Sequence, residues 1–152
     1  MLSGMNRDRE IRLYTVGYEG RSVDEFVSVL TSAGVEVLVD VRERALSRKK
    51  GFSKRSLGET LRTAGIEYRH EPLLGNPKEN REPFRQGEPE ARDRYLAHLN
   101  NGSRSAFDAV VELAGESNVA LMCFERDHDS CHRSCVSDMA VSEQQGMSVV
   151  QL

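Results

Sequence analysis

The 152-residue sequence has no tryptophan, 6% aromatic residues, only four prolines and only three cysteines. No apolar run approaches the roughly 18 residues that a membrane span requires, so no membrane association is expected. The opening stretch MLSGMNRDRE has no apolar core of the secretory kind, and no export signal is expected there. Three cysteines without a disulfide-rich spacing point to free thiols in a reducing cytoplasm. C-x-x-C, the usual spacing for thiol–disulfide exchange, is missing. So are the phosphate-binding patterns G-x4-G-K-S/T and G-x-G-x-x-G. Internal repeats and low-complexity tracts are also lacking. A net charge of −3 argues against a surface that attracts nucleic acid as a whole, and leaves room for a local basic patch.

What is present is a soluble globular composition, 38% apolar and 30% charged. The length suits one domain over residues 1–152 with a proper core. The first ten residues are expected to be flexible. One stretch, RERALSRKKGFSKR from Arg42 to Arg55, carries seven basic residues against one acid. Such a run is either a solvated surface or an anion-facing loop.

Hydrophobic patterning predicts the elements in order. IRLYTVGY reads as a strand. The helix SVDEFVSVLTSAG follows, with Ser22 and Glu25 as a capping box and Gly34 as its stop. VEVLVDV is a continuous apolar run of the kind that forms a strand buried on both faces. SKRSLGETLRTAG is a helix with Ser53 as the expected cap, and IEYRH is a third strand. Residues 72–94 hold all four prolines among alternating charges and read as a long irregular loop. Residues 90–101 and 103–117 read as helices, VALMCFE as a strand, CHRSCVSDMAVSEQQ as a helix and MSVVQL as a strand. This order predicts a single α/β domain with a mostly parallel five-stranded sheet and helices on both faces.

Ligands of open α/β sheets bind beyond the carboxyl ends of the strands. The reactive residues collect there. The first strand delivers Gly17, Tyr18, Glu19, Gly20 and Arg21; the second delivers Asp40, Arg42 and the basic loop with Arg48. The third delivers His70 and Glu71, and the fourth delivers Glu125 and the segment leading to Cys131, His132 and Arg133. All three cysteines lie in CFERDHDSCHRSCV, residues 123–136. Alternation makes Cys123 a core residue. Asp129 or Ser130 is placed to cap a helix beginning near Cys131, whose positive end would suit an anion or a thiolate. Cys135 reads as a packing residue. A metal held by Cys131, Cys135 and His132 or His128 is a weaker alternative, because C-x3-C matches no usual zinc pattern. No cofactor is expected. His70 reads as a structural hydrogen-bonder or an acid–base group, and Asp40 as an ion-pair partner or a catalyst.

TVGYEGRSVDEF, LVDVRERALSRKKGFSK, IEYRHEPLLG and LMCFERDHDSCHR, in this order and spacing, resemble the bacterial and archaeal domain of unknown function 488 family. The resemblance spans about residues 13–150. It implies a single α/β domain and leaves the activity open. The motif positions it carries over are Gly17 through Ser22, Asp40, Arg42, Ser47, Arg48, Phe52, His70, Leu74, Gly75, Cys123, Glu125, Cys131, His132 and Arg133. Ala45 stands where the family often has proline, and Asn76 where it often has a second glycine.

The leading functional expectation is an enzyme acting on an anionic, phosphate-bearing substrate such as a nucleotide or a nucleic-acid end. Arg133, Arg42, Arg21, Arg48, Tyr18, Gly17 and Gly20 would bind the anion, and Glu125, Glu19, His70, Asp40, Cys131 and His132 would supply the chemistry. The alternatives are a non-catalytic nucleic-acid-binding module using residues 42–55, and a Cys/His metal-binding protein.

Overall fold

Five strands make one sheet in the order β3-β2-β4-β1-β5, and every pairing is parallel. They are β1 (Ile11–Gly17), β2 (Val37–Asp40), β3 (Glu67–His70), β4 (Val119–Cys123) and β5 (Met147–Gln151). The computed structural model describes residues 10–152, so the flexibility expected of the first ten residues falls, but for Glu10, outside the described residues. Six α-helices connect the strands: α1 (Val23–Ser32), α2 (Lys54–Thr63), α3 (Lys78–Arg85), α4 (Pro89–Asn101), α5 (Arg104–Glu116) and α6 (Arg133–Glu143). No helix among the described residues is long and apolar enough to cross a membrane.

The chain order explains the two layers. From β1 to β2 to β3 the chain moves toward one edge of the sheet, and from β3 through β4 to β5 it moves back. Crossovers of one hand therefore place α1 and α2 on one face and the later helices on the other. Alternate residues of each strand enter opposite cores. Val16, Leu38 and Met122 pack with Phe26 and Leu30 of α1 and Leu57 and Leu61 of α2. Leu13, Val39, Leu121 and Cys123 pack with Tyr95, Leu99, Phe107 and Val136 of the other layer. Every residue of β2 and β4 is buried, which is why both read as apolar runs, with Asp40 at the end of β2 the one charged residue.

Local signals act largely as expected at α1. Ser22 Oγ accepts from Glu25 N at 3.1 Å, and Gly34, at φ +76°, turns the chain out of the helix. At α2, Ser53 holds the cap position, but its hydroxyl serves the basic loop: it accepts from Ser47 N at 3.0 Å and donates to Ser47 O at 3.1 Å.

The loop expected over residues 72–94 is mostly helical. A 3₁₀ turn spans Pro72–Leu74, α3 follows, and α4 begins at Pro89. The prolines mark helix starts. Pro72 and Pro89 occupy first-turn positions and Pro77 directly precedes α3, where a missing N–H costs nothing. Only Pro83 is interior, and α3 ends two residues after it. Asn80 and Phe84, one turn apart, are buried and seat α3 on the domain. Asn80 Nδ2 donates to Ala91 O at 2.9 Å, which ties α3 to α4.

Candidate functional site

β4 leads into α6 on one face of the sheet, while its neighbours β1 and β2 lead into α1 and α2 on the other. The chain thus parts on both sides of the β4 end, the usual place for a ligand crevice in such sheets. A cavity of about 230 Å³ opens there. Its lining includes Tyr18, Arg42, Cys123, Glu125, Cys131 and His132 from the expected set, together with Arg44, Arg81 and Arg85.

The β2 end supplies a closed ion-pair network. Asp40 is fully buried, and its Oδ1 accepts from Arg42 N at 3.1 Å and Arg42 Nε at 2.9 Å. Its Oδ2 accepts from Arg42 Nη2 at 2.7 Å and from Tyr68 OH at 2.5 Å. Arg42 Nη1 donates to Tyr18 OH at 3.2 Å. Burial opposes the charge on Arg42, but the hydrogen bonds and charge of Asp40 outweigh it and raise the arginine pKa. Burial, followed by the Asp40 charge, raises the Tyr68 hydroxyl. With both oxygens occupied, Asp40 is a bracing group and no longer a free base. Tyr18 is held by stacking on Phe52, with ring centroids 4.4 Å apart, and by the edge of Phe124.

β1 ends at Gly17, opposite Cys123 in the register. A β-carbon on Gly17 would overlap the Glu125 carbonyl, so glycine lets the β1 and β4 ends close together. Cys123 is buried, as alternation requires, but it is not a free thiol. Cys123 and Cys131 are joined as a disulfide, and only Cys135 stays free. This corrects the expectation of three free thiols. Burial pushes the Cys135 thiol up to about 11.

α6 begins at Arg133, two residues later than expected. Neither Asp129 nor Ser130 caps it. Asp127 instead caps the preceding 3₁₀ turn, accepting from Asp129 N at 3.3 Å and Ser130 Oγ at 2.7 Å. Arg133 is turned inward, not toward the cavity: Nη1 donates to Glu125 O at 2.6 Å and to Cys123 Sγ at 2.8 Å, and Nη2 to Arg126 O at 3.3 Å. Burial lowers its pKa to about 10. Its Nε and the Nη1 of Arg21 are buried without a partner.

His132 is buried, and its Nε2–H donates to Val41 O at 2.7 Å, leaving Nδ1 as the lone-pair nitrogen 3.6 Å from Cys131 Sγ. Burial lowers its pKa from 6.5 to about 4. The unfolded chain therefore binds a proton near pH 6.5 that the folded protein refuses until about pH 4. Stability from this group is present above pH 6.5 and is lost as the pH falls through that window, with a slope of up to about 1.4 kcal/mol per pH unit. In urea titrations between pH 7 and 5, His132→Gln should flatten the slope, and an unchanged slope would refute this assignment.

Other expected residues lie off the cavity. His70 Nε2 donates to Arg42 O at 2.8 Å and holds the loop backbone. Glu19 Oε1 accepts from Arg126 N at 3.1 Å. Arg48 is exposed on the basic loop. Arg21, with Gly20, borders a second cavity beside the start of α1. His128 is pinned between Thr15 Oγ1 at 3.0 Å and Ser137 Oγ at 3.4 Å, away from any ligand role. Cys135 joins no metal-ligand set among the described residues; the atoms that do converge, within 4.8 Å, belong to Cys123, Glu125 and Cys131. With both cysteines bonded to each other, that set has no thiolate for a metal.

The family described as Domain of unknown function DUF488 matches residues 22–140, most of the chain. The chain belongs to the DUF488 family. No curated protein and no solved structure matches this DUF488 protein. The matched span covers the Asp40–Arg42 pair, α3 and the Cys131–Arg133 turn, and begins just after Gly17–Arg21.

Reading residues for chemistry missed two cavity arginines, Arg81 and Arg85. They sit one turn apart on α3. Arg81 Nη2 donates to Glu43 at 3.0 Å, and Arg85 Nη2 donates to Glu125 Oε1 at 3.0 Å. The bond to Glu125 raises the Arg85 pKa. Their i,i+4 spacing beside the apolar Phe84 was the available signal.

Proposed function

We propose that this DUF488 protein is an enzyme acting on an anionic, phosphate-bearing substrate, a nucleotide or nucleic-acid end, bound at the β4 crevice. One observation carries the reading: four arginines line the cavity against Glu43, Glu125 and, behind Arg42, Asp40, which leaves positive charge in excess. Excess positive charge within low-dielectric walls concentrates anions, and guanidinium forks match phosphate oxygens. Arg44, Arg81 and Arg85 form the anion-facing rim, and Arg42 with Tyr18 forms the wall. Glu125 is the proton-transfer group, since it borders the cavity while Glu19 and His70 do not.

Thermal unfolding with phosphate, sulfate, nucleotides and short oligonucleotides tests this. A ligand at about 100 times its Kd adds roughly 2.7 kcal/mol, on the order of 5–10 °C for this size. The shift should vanish in Arg44→Ala combined with Arg85→Ala. No shift with any anion would sink the proposal.

A second reading, a non-catalytic nucleic-acid-binding module, is favoured by a separate observation. A cavity of about 690 Å³ is lined by Arg21, Lys49 and Lys50 beside Ser22 and Val23 at the start of α1. On this reading, affinity for an oligonucleotide falls steeply with salt, and Lys49→Ala with Lys50→Ala reduces the slope by about two. Salt-independent binding would remove it.

A further inference from the structure

The disulfide has surroundings that a mere cross-link does not need. All three cysteines are buried in the same core, but only Cys123 and Cys131 also border the arginine-rimmed cavity. Each sulfur also has its own polar partner. Arg133 Nη1 lies 2.8 Å from Cys123 Sγ, a cation placed to stabilise a thiolate. His132 Nδ1 lies 3.6 Å from Cys131 Sγ, and the bond from Nε2–H to Val41 O fixes the tautomer that leaves Nδ1 able to take a proton. Glu125 Oε2 lies 3.5 Å from Cys123 Sγ and can take the second proton.

We propose that Cys123 and Cys131 are a redox-active pair that, when reduced, reduces a small disulfide carrying phosphate groups. The phosphate part of this inference rests on the reading above; the thiol part does not. Cys131 attacks one substrate sulfur while its proton passes by way of His132 Nδ1, which relays the proton without storing it because burial keeps the ring neutral. The substrate S–S bond breaks, a Cys131–substrate disulfide forms, and the leaving thiolate takes the relayed proton. Cys123 passes its proton to Glu125, and its thiolate, held by Arg133, attacks the Cys131 sulfur. The mixed disulfide breaks, the second substrate thiolate leaves with the proton from Glu125, and the Cys123–Cys131 bond remains. Two electrons and two protons have moved from the protein pair to the substrate. Small monothiols restore the reduced pair by the same exchange in reverse.

The test treats pre-reduced full-length protein with phosphopantetheine disulfide or with unphosphorylated pantetheine disulfide, followed by acid quench and mass spectrometry. The wild type should release two thiols per protein and end adduct-free with Cys123 bonded to Cys131. Cys123→Ser should stop at a stable adduct on Cys131, and Cys131→Ser should react at least about tenfold more slowly. A wild type that keeps an adduct, or a pair no more reactive than Cys135, overturns the proposal without reliance on any variant. So does stoichiometric zinc in the reduced protein that blocks the reaction, because Cys123, Glu125 and Cys131 are then a metal site. Preference for the phosphorylated probe, lost in Arg44→Ala with Arg85→Ala, supports both parts. Equal rates for the two probes with normal two-thiol release overturn the phosphate part and uphold the thiol pair.

Discussion

Replacing Asp40 with alanine is expected to lower the unfolding free energy by about 3–5 kcal/mol. The reason is the charge left behind. Arg42 is buried and bonds to both carboxylate oxygens, and Tyr68 donates to the same group. Removing the carboxylate strands a desolvated guanidinium and the Tyr68 hydroxyl, and the loss of one partner costs more than the pair was worth. For a domain of this size the melting temperature should fall on the order of 10 °C. A second change separates charge from packing: Arg42→Met in the Asp40→Ala background should recover part of the loss, since no unpaired charge remains. A single-variant cost below about 1 kcal/mol, or a double variant no better than Asp40→Ala, would show that the network is not what braces the β2 end.

Gly75→Ala is expected to cost about 3 kcal/mol and to abolish the anion-induced thermal shift. Gly75 has an ordinary extended backbone, φ −68° and ψ 150°, so strain is not the cause. The obstacle is contact: a β-carbon there would overlap the backbone of Glu43. Backbone cannot swing aside as a side chain can, so the 3₁₀ turn and the segment after β2 must separate. Glu43 and Asn76 both line the cavity, and the rim would move with them. Gly102 is the control. Its φ is −100° and a β-carbon there meets nothing within 4 Å. Gly102→Ala should be neutral or stabilising by up to about 1 kcal/mol, through the unfolded chain. Similar losses at the two glycines, measured by urea unfolding, would contradict this account.

The sheet was legible because its signals are local and redundant. VEVLVDV can only satisfy its apolar run inside a parallel sheet, and the capping box at Ser22 fixes where α1 begins. The segment 72–94 was misread because proline says where a helix cannot continue and equally where one can start; Pro72, Pro77 and Pro89 are of the second kind. The convergence of Tyr18, Arg42, Glu125, Cys131 and His132 was legible from strand ends alone. The roles of individual groups were not. Whether Arg133 faces a cavity or a backbone carbonyl depends on a rotation of α6 that spacing does not encode. The pairing of Cys123 with Cys131 joins a strand to a residue beyond a 3₁₀ turn, and no C-x-x-C announces it.

The edge position of β3 bears on how the protein keeps apart from copies of itself. β3 is the one strand of alternating exposure, with Glu67 and Arg69 outward and bonded to each other. An open strand edge is a template for further strands, and charge is the common deterrent. For a second sheet to add here, it would have to strip water from that ion pair while gaining only four residues of ladder. Addition of a further strand is therefore opposed at β3, one of the sheet's two edges, by the charges its exposed positions carry.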